Sequence, residues 1–135
     1  MPSLARSSLA LLLVAATGLP ALAAQTSASG IGYASVAAAR QAVLNRPSVS
    51  NREERRGWLV VTDQPGDDFT TWAFAPKSDP AYPTVVRRDI VFKNGNPTLV
   101  TRVHCESRQR ACDALYARLR AQVARCTSDC TTVLP

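Results

Sequence analysis

The sequence predicts an α+β domain in which an antiparallel four-strand meander is flanked by an N-terminal and a C-terminal helix. Two segments carry apolar side chains at helical spacing, and four segments between them are rich in β-branched and aromatic residues. Turn-forming residues separate these four segments, so the expected element order is α-β-β-β-β-α. The simplest packing of that order places both helices against one face of the sheet.

Residues 1–23 have the three parts of a secretory signal peptide. One positive charge, Arg6, precedes the apolar run 9–16, and Ala21-Leu22-Ala23 supplies a small-x-small cleavage pattern. A membrane anchor is the alternative, but Pro20 interrupts the apolar run well short of the about 20 residues that cross a bilayer. We therefore expect export, and localisation in the periplasm or outside the cell.

Removal of the signal peptide would leave a mature chain with no transmembrane segment. Its length is typical of one domain. Residues 24–34 are small and polar for the most part and are expected to form a flexible tail. The single α+β domain is then expected over 35–135.

The first helix is expected between about residues 35 and 45. Ser35 is a favourable N-cap residue, and Pro47 ends the helix because the residue before a proline avoids the helical conformation. Residues 48–56 are polar and charged, and are expected to form a loop. The apolar face of the helix carries Val36, Ala39, Val43 and Leu44.

Four strands are expected after this loop, separated by strong turn signals. Pro65-Gly66-Asp67-Asp68 is a turn sequence, and Asn94-Gly95 is the strongest short hairpin signal in the chain. A proline-rich connection, 76–83, lies between them. The strands are predicted over 58–63, 69–75, 84–93 and 98–105.

The second helix is expected over 108–126, with Ser107 as its N-cap. Its apolar face is the clearest periodic pattern in the sequence, because one set of side chains falls within about 100° of a helical projection. That set is Cys112, Leu115, Tyr116, Leu119, Val123 and Cys126.

Four cysteines in a short exported chain predict two disulfides, with three pairings to consider. In the expected helix, 14 residues separate Cys112 from Cys126, so their Cα atoms lie about 21 Å apart, whereas a disulfide needs about 7 Å or less. The four residues that lead on to Cys130 reach only about 14 Å and cannot return to Cys112. The pairing that remains is Cys105–Cys112 with Cys126–Cys130.

Zinc binding is the main alternative for these thiols, with His104 as a further ligand. The Cys-x6-Cys and Cys-x3-Cys spacings differ from those of standard zinc sites, and the Cys-x-x-Cys pattern of redox sites is absent. We therefore expect structural disulfides, no metal and no cofactor.

The sequence offers little support for catalysis. His104 is next to Cys105, but adjacent residues of a strand point to opposite faces, so the two side chains should diverge, with His104 facing solvent. Gly-rich phosphate loops and nucleophile elbows are absent. The carboxylates that could act as acid and base are Glu53, Glu54, Asp67, Asp68, Asp89 and Glu106.

The charge balance is basic. The whole chain has a net charge of +6, and loss of Arg6 with the signal peptide leaves 15 basic against 10 acidic side chains, or +5. Residues 87–125 contain nine basic and three acidic side chains, which favours an anionic partner. For an exported protein that partner would be a lipid phosphate, an anionic polysaccharide or an acidic protein, since the compartment excludes nucleic acid.

Short motifs over residues 57–120 carry a family resemblance. They are Trp72-Ala73-Phe74-Ala75-Pro76, Pro80-Ala81-Tyr82-Pro83, Val86-Arg87-Arg88 and Cys105-x6-Cys112-Asp113-x-Leu115. In these motifs the chain resembles a group of small exported proteins of Gram-negative bacteria. The resemblance implies a periplasmic location and a shared fold, and it supplies no activity.

The same stretch holds the candidate binding residues Trp72, Tyr82, Arg87 and Arg88. Prolines stiffen the connection before the third strand, and the two aromatic rings offer flat surfaces with polar tips. The two arginines follow, one on each face of the strand, and rigid loops with aromatic and arginine side chains are typical of interface hot spots. The alternative is that the aromatic side chains fill the core, namely Trp72, Phe74 and Tyr82.

We therefore expect a non-catalytic exported binding module that recognises a protein partner, as an inhibitor or an immunity-type protein does. Two alternatives remain open. One is electrostatic binding to an anionic envelope component, and the other is a small hydrolase that uses two carboxylates.

Overall fold

Five antiparallel strands form one sheet, and their order across the sheet is their order in the chain. The computed structural model describes residues 30–125, except for the side chains of 124 and 125. The elements are α1 Val36–Leu44, β1 Val49–Arg55, β2 Trp58–Asp63, β3 Phe69–Phe74, β4 Thr84–Lys93, β5 Asn96–Cys105 and α2 Gln109–Arg125. No helix within this range is long and apolar enough to cross a membrane.

The predicted α+β class is confirmed, but the prediction of four strands is wrong. Residues expected to form a polar loop instead form β1, which pairs with β2 along its length. Arg56 and Gly57 make the connecting turn, with φ angles of 50° and 83°. β1 was not predicted because it is an edge strand with polar side chains on both faces. It therefore lacks the alternation of apolar and polar residues that is typical of a half-buried strand.

The two helices pack on opposite faces of the sheet, which corrects the expectation that both lie on one face. On the α1 face, Val61, Trp72, Phe74 and Val85 pack with α1. On the α2 face, the alternate residues of the same strands pack with Leu115 and Leu119, and these are Trp58, Val60, Ala73 and Val86. The apolar run of β2 therefore fills two cores, as is typical of strands buried on both sides.

Contacts from both edges of the sheet hold α1 in place. Ser35 is its N-cap, as predicted, and accepts a hydrogen bond from the Ala38 amide at 3.0 Å. At the same end, the Val36 amide donates to Glu106 Oε1 at 2.7 Å, where a carboxylate also interacts favourably with the helix dipole. At the other end, Arg52 of β1 donates to the Leu44 carbonyl.

The segment before α1 is part of the domain. Ile31 is fully buried in the α1-face core, and Tyr33 packs against that core. The prediction of a flexible tail is therefore wrong for residues 30–34, because this segment supplies apolar side chains that the sheet buries. Residues 1–29, which include the predicted signal peptide and the first part of that tail, lie outside the described residues.

α2 begins at Gln109, and Cys112, Leu115 and Leu119 are buried as predicted. Val123 belongs to the predicted apolar face, yet it is exposed. Ser107 was expected to be the N-cap of α2, but its hydroxyl makes a different contact. It donates to the Pro80 carbonyl at 3.0 Å and ties the start of α2 to the connection between β3 and β4.

The Cys105–Cys112 disulfide is confirmed, with the Cα atoms 5.9 Å apart. It joins the last residue of β5 to the first turn of α2, so it holds that helix against the sheet. The predicted Cys126–Cys130 disulfide lies outside the described residues.

Replacing both Cys105 and Cys112 by alanine should lower the free energy of unfolding by about 2–3 kcal/mol, because the bridge closes a short loop in the unfolded chain. Urea denaturation of the oxidised mature chain and of the double variant measures the difference. An unchanged unfolding midpoint would contradict a stabilising bridge. Peptide mapping of unreduced protein should recover Cys105 joined to Cys112, and a bridge from Cys105 to Cys126 would contradict the pairing.

Candidate functional site

Trp72 lies at the centre of the α1 face and is fully buried. In the register of the sheet it stands between Val61 of β2 and Arg87 of β4. Its indole nitrogen is buried and has no hydrogen-bond partner among the described residues. The ring is therefore held by packing and by its aromatic faces and edges, not by its polar tip.

Two guanidinium groups lie over the Trp72 ring. The Cζ atom of Arg46 is 5.7 Å from the ring centroid, and that of Arg87 is 5.0 Å from it. Tyr33 adds an edge contact, with ring centroids 5.8 Å apart. A cation over the face of a buried tryptophan contributes up to about 2 kcal/mol, so the three contacts favour one arrangement of this part of the core.

Asp63 positions Arg46. It is fully buried at the end of β2 and accepts hydrogen bonds from Arg46 and from the Ser48 hydroxyl. Arg46 donates a second hydrogen bond to the Tyr33 hydroxyl. Burial alone lowers the pKa of the Arg46 guanidinium, but the hydrogen bonds and charge interactions with Asp63 and Tyr33 outweigh it and raise that pKa above its usual value.

Asp89 positions Arg87 on the β4 side of Trp72. It is buried and accepts hydrogen bonds from Thr70 at 2.9 Å, from Arg87 at 2.8 Å, and from Arg102. Arg87 also donates to the Ile31 carbonyl at 3.2 Å, so it connects the sheet to the segment before α1. We refer to the set as the Trp72 cluster: Trp72, Tyr33, Arg46, Asp63, Arg87 and Asp89.

An open groove lies on the same face, between α1 and the connection from β3 to β4. Its volume is about 590 Å³. The apolar lining comes from Val36, Leu44, Leu59, Phe74, Pro76, Tyr82 and Pro83. The charged side chains that line it are Arg40, Glu54, Lys77 and Glu106. We call this the α1 groove.

Tyr82 is the exposed aromatic side chain of the α1 groove, with 41% of its surface accessible. Local hydrogen bonds hold the loop that carries it. The Tyr82 amide donates to the Asp79 carbonyl at 2.9 Å, and the Ala81 amide donates to Asp79 Oδ1 at 2.8 Å. These two hydrogen bonds present the ring on an ordered turn. The Tyr82–Pro83 peptide bond is cis.

The four predicted binding residues separate into three environments. Trp72 and Arg87 meet in the Trp72 cluster, where Trp72 is inaccessible to a partner. Tyr82 lines the α1 groove. Arg88 is only 6% exposed and lies on the α2 face, as the alternation along β4 predicted. Of the aromatic side chains that the alternative interpretation placed in the core, Trp72 and Phe74 are buried and Tyr82 is not.

The single histidine interacts with a carboxylate. His104 Nε2 lies 3.1 Å from Glu106 Oε1, the same atom that accepts from the Val36 amide. His104 is half-buried on the α1 face rather than open to solvent, while Cys105 points to the other face and is oxidised. Within residues 30–125, no three histidine, cysteine or acidic side chains are grouped so as to hold a metal ion.

The arginines of the basic half do not gather on one face in the part of the chain that the structure describes. Arg87 and Arg102 share Asp89, and Arg118 lies 3.6 Å from Asp79. Arg88 is on the opposite face from Arg87. Several of the positive charges at 87–102 are therefore used in contacts within the domain.

Sequence reasoning missed Tyr33, Arg46 and Asp63. A signal for Asp63 was present, because it falls on the same face of β2 as Leu59 and Val61 and so had to be buried with them. No comparable local pattern identifies its partner Arg46, which follows α1 in a turn.

The chain was compared with family models, curated proteins and solved structures, and no match was found in any of the three.

Replacing Asp63 by asparagine should lower the free energy of unfolding by about 2 kcal/mol, because it removes the buried carboxylate that pairs with the partly exposed Arg46 guanidinium. The matched control is Glu53→Gln, which breaks the exposed Glu53–Arg55 pair and should cost less than about 1 kcal/mol. Urea denaturation at neutral pH measures both. Equal losses of free energy for the two variants would show that the Arg46–Asp63 pair does not stabilise the fold.

Proposed function

We propose that the protein is a small exported binding module that recognises a protein partner through the α1 groove, as an inhibitor or an immunity-type protein does. The observation that carries this proposal is Tyr82, an exposed aromatic side chain on an ordered turn beside an apolar groove. Interface hot spots combine these properties, since an aromatic ring offers contact area at low entropic cost.

The lining of the α1 groove supports a protein ligand. Its apolar part suits a projecting aliphatic or aromatic side chain of the partner. Arg40 and Lys77 form no ion pair among residues 30–125, and Glu54 adds a negative charge nearby. An apolar centre with a rim of both charges is the usual anatomy of a protein interface.

Three features support export to the periplasm. The signal-like sequence at 1–23 and the resemblance to small exported proteins of Gram-negative bacteria point to that route. The Cys105–Cys112 disulfide fits an oxidising compartment, where such bonds persist. The Cys126–Cys130 bridge remains part of this proposal.

Electrostatic binding to a lipid phosphate or an anionic polysaccharide is the second candidate. Exposed arginines of α2, Arg110 and Arg120, form no ion pair with described residues and favour it. Such binding would weaken steeply with added salt. Binding through the apolar α1 groove would depend on salt much less.

A carboxylate hydrolase has one supporting observation, since Glu54 and Glu106 both line the α1 groove. Glu106 already accepts from the Val36 amide and contacts His104, which gives it a structural task. Loss of hydrolytic activity in a folded Glu54→Gln variant would be needed to favour this candidate.

Tyr82→Ala should weaken binding of the natural partner at least about tenfold, because it removes the exposed ring of the groove. The mature chain is immobilised, periplasmic and competitor extracts are passed over it, and the captured protein is identified and titrated. Phe92→Ala is the matched control, since Phe92 is 71% exposed and lies outside the groove. It should change the affinity less than about twofold.

Two outcomes would contradict the proposal. One is the recovery of no specific protein from any extract. The other is a captured protein that binds the Tyr82→Ala variant as tightly as the unmodified chain, which would move the interface elsewhere.

A further inference from the structure

β5 is an edge strand of ten residues, and within the described part of the chain it pairs only with β4. One side of its backbone therefore has no neighbouring strand among those residues. Such an edge is a template for another strand, and proteins usually blunt it with charges, prolines, bulges or short length.

The hairpin turn determines which residues of β5 point outward. Asn94 and Gly95 have φ angles of 51° and 78°, and they connect the directly opposed pair Lys93 and Asn96. In a two-residue hairpin that closing pair is hydrogen-bonded, and bonded and non-bonded pairs then alternate along the ladder. The amides and carbonyls of Leu99, Thr101 and Val103 consequently point away from β4.

Two further observations agree with this assignment. Pro97, which has no N–H group, falls in the outward-pointing set, where no bond to β4 is lost. At the other end of the ladder, the Glu106 amide donates to the Pro83 carbonyl at 2.9 Å, which continues the same alternation.

The two edges of the sheet differ in how they are protected. β1 has seven residues, an irregularity between Val49 and Asn51, and a run of charged side chains. β5 has a regular ladder and one arginine, Arg102, which pairs with Asp89. Leu99 on its α2 face is 42% exposed, beside the exposed Phe92 of β4. Pro97 protects only the hairpin end of β5, so the part from Leu99 to Val103 is the edge open to pairing.

We propose that two copies of the chain pair through β5, antiparallel, about a two-fold axis at Thr101. Leu99 of each copy then lies opposite Val103 of the other, so apolar side chains meet on the α2 face. Arg102 of each copy lies opposite Val100 of the other, and the two arginines are diagonal neighbours, each paired with Asp89 of its own copy. This register satisfies the outward backbone groups of Leu99, Thr101 and Val103 and places no two like charges directly opposite each other.

The pairing produces a closed dimer with one continuous ten-stranded sheet. β1 of each copy becomes the outer edge, and its charges and irregular pairing oppose further addition. Pairing through one strand of each copy is expected to bury less surface than the about 1,200 Å² of a standard interface, so we expect a dissociation constant in the micromolar range. The dimer does not depend on the α1 groove, which is formed by other residues.

Sedimentation velocity of the oxidised mature chain, from low micromolar to several hundred micromolar, tests the proposal. The mean mass should rise from that of a monomer to that of a dimer. Thr101→Pro removes an outward amide that β4 does not use and should raise the dissociation constant at least about tenfold. Thr101→Val keeps the amide and is the matched control, with a change below about threefold.

Leu99→Lys is a second variant, which places a charge on the edge and should also raise the dissociation constant. It decides the question if circular dichroism shows Thr101→Pro to be unfolded. A chain that stays monomeric at every concentration would overturn the proposal. A folded Leu99→Lys variant that dimerises as tightly as the unmodified chain would also overturn it. If the chain stays monomeric and the Thr101→Pro variant no longer binds the captured protein, β5 is the binding site for that protein instead. Tyr82→Ala should leave the dimer unchanged, so the two proposals fail separately.

Discussion

The fold depends on a buried tryptophan that is held by two arginines, each positioned by its own buried aspartate. A guanidinium group is costly to bury without a counter-charge, so Asp63 and Asp89 are what allow Arg46 and Arg87 to lie against Trp72. The aspartates come from β2 and β4, on the two sides of Trp72 in the sheet. The interior is therefore set by charge pairing as well as by apolar packing.

This cluster also determines where the N-terminal part of the domain lies. Arg46 follows α1 and is bound to β2, while Arg87 reaches the Ile31 carbonyl before α1. Glu106 and Arg52 then hold the two ends of the helix from opposite edges of the sheet. The α1 groove owes its shape to these contacts, because α1 is one of its walls.

Local signals predicted much of the secondary structure. β2 and β4 lie where their composition placed them, the Asn94-Gly95 hairpin forms, and Ser35 caps α1. The Cys105–Cys112 bridge followed from helix geometry and chain length alone. β1 was missed because an edge strand needs no apolar face, and its pairing depends on the neighbouring β2. For the candidate site, the motif around Tyr82 was recognised, whereas the groove beside it was not.

The sequence by itself determined the two helices, the four strands from β2 to β5 with the turns between them, and that Cys105 and Cys112 are near enough to join. These properties depend on residues a few positions apart. Only the tertiary structure decided that the helices cover opposite faces, that Trp72 is enclosed while Tyr82 is open, and that Asp63 pairs with Arg46. The physical reason is that β2 and β3 are apolar on both faces, so either face could receive either helix. Which side chains become buried then depends on contacts between segments that are far apart in the chain.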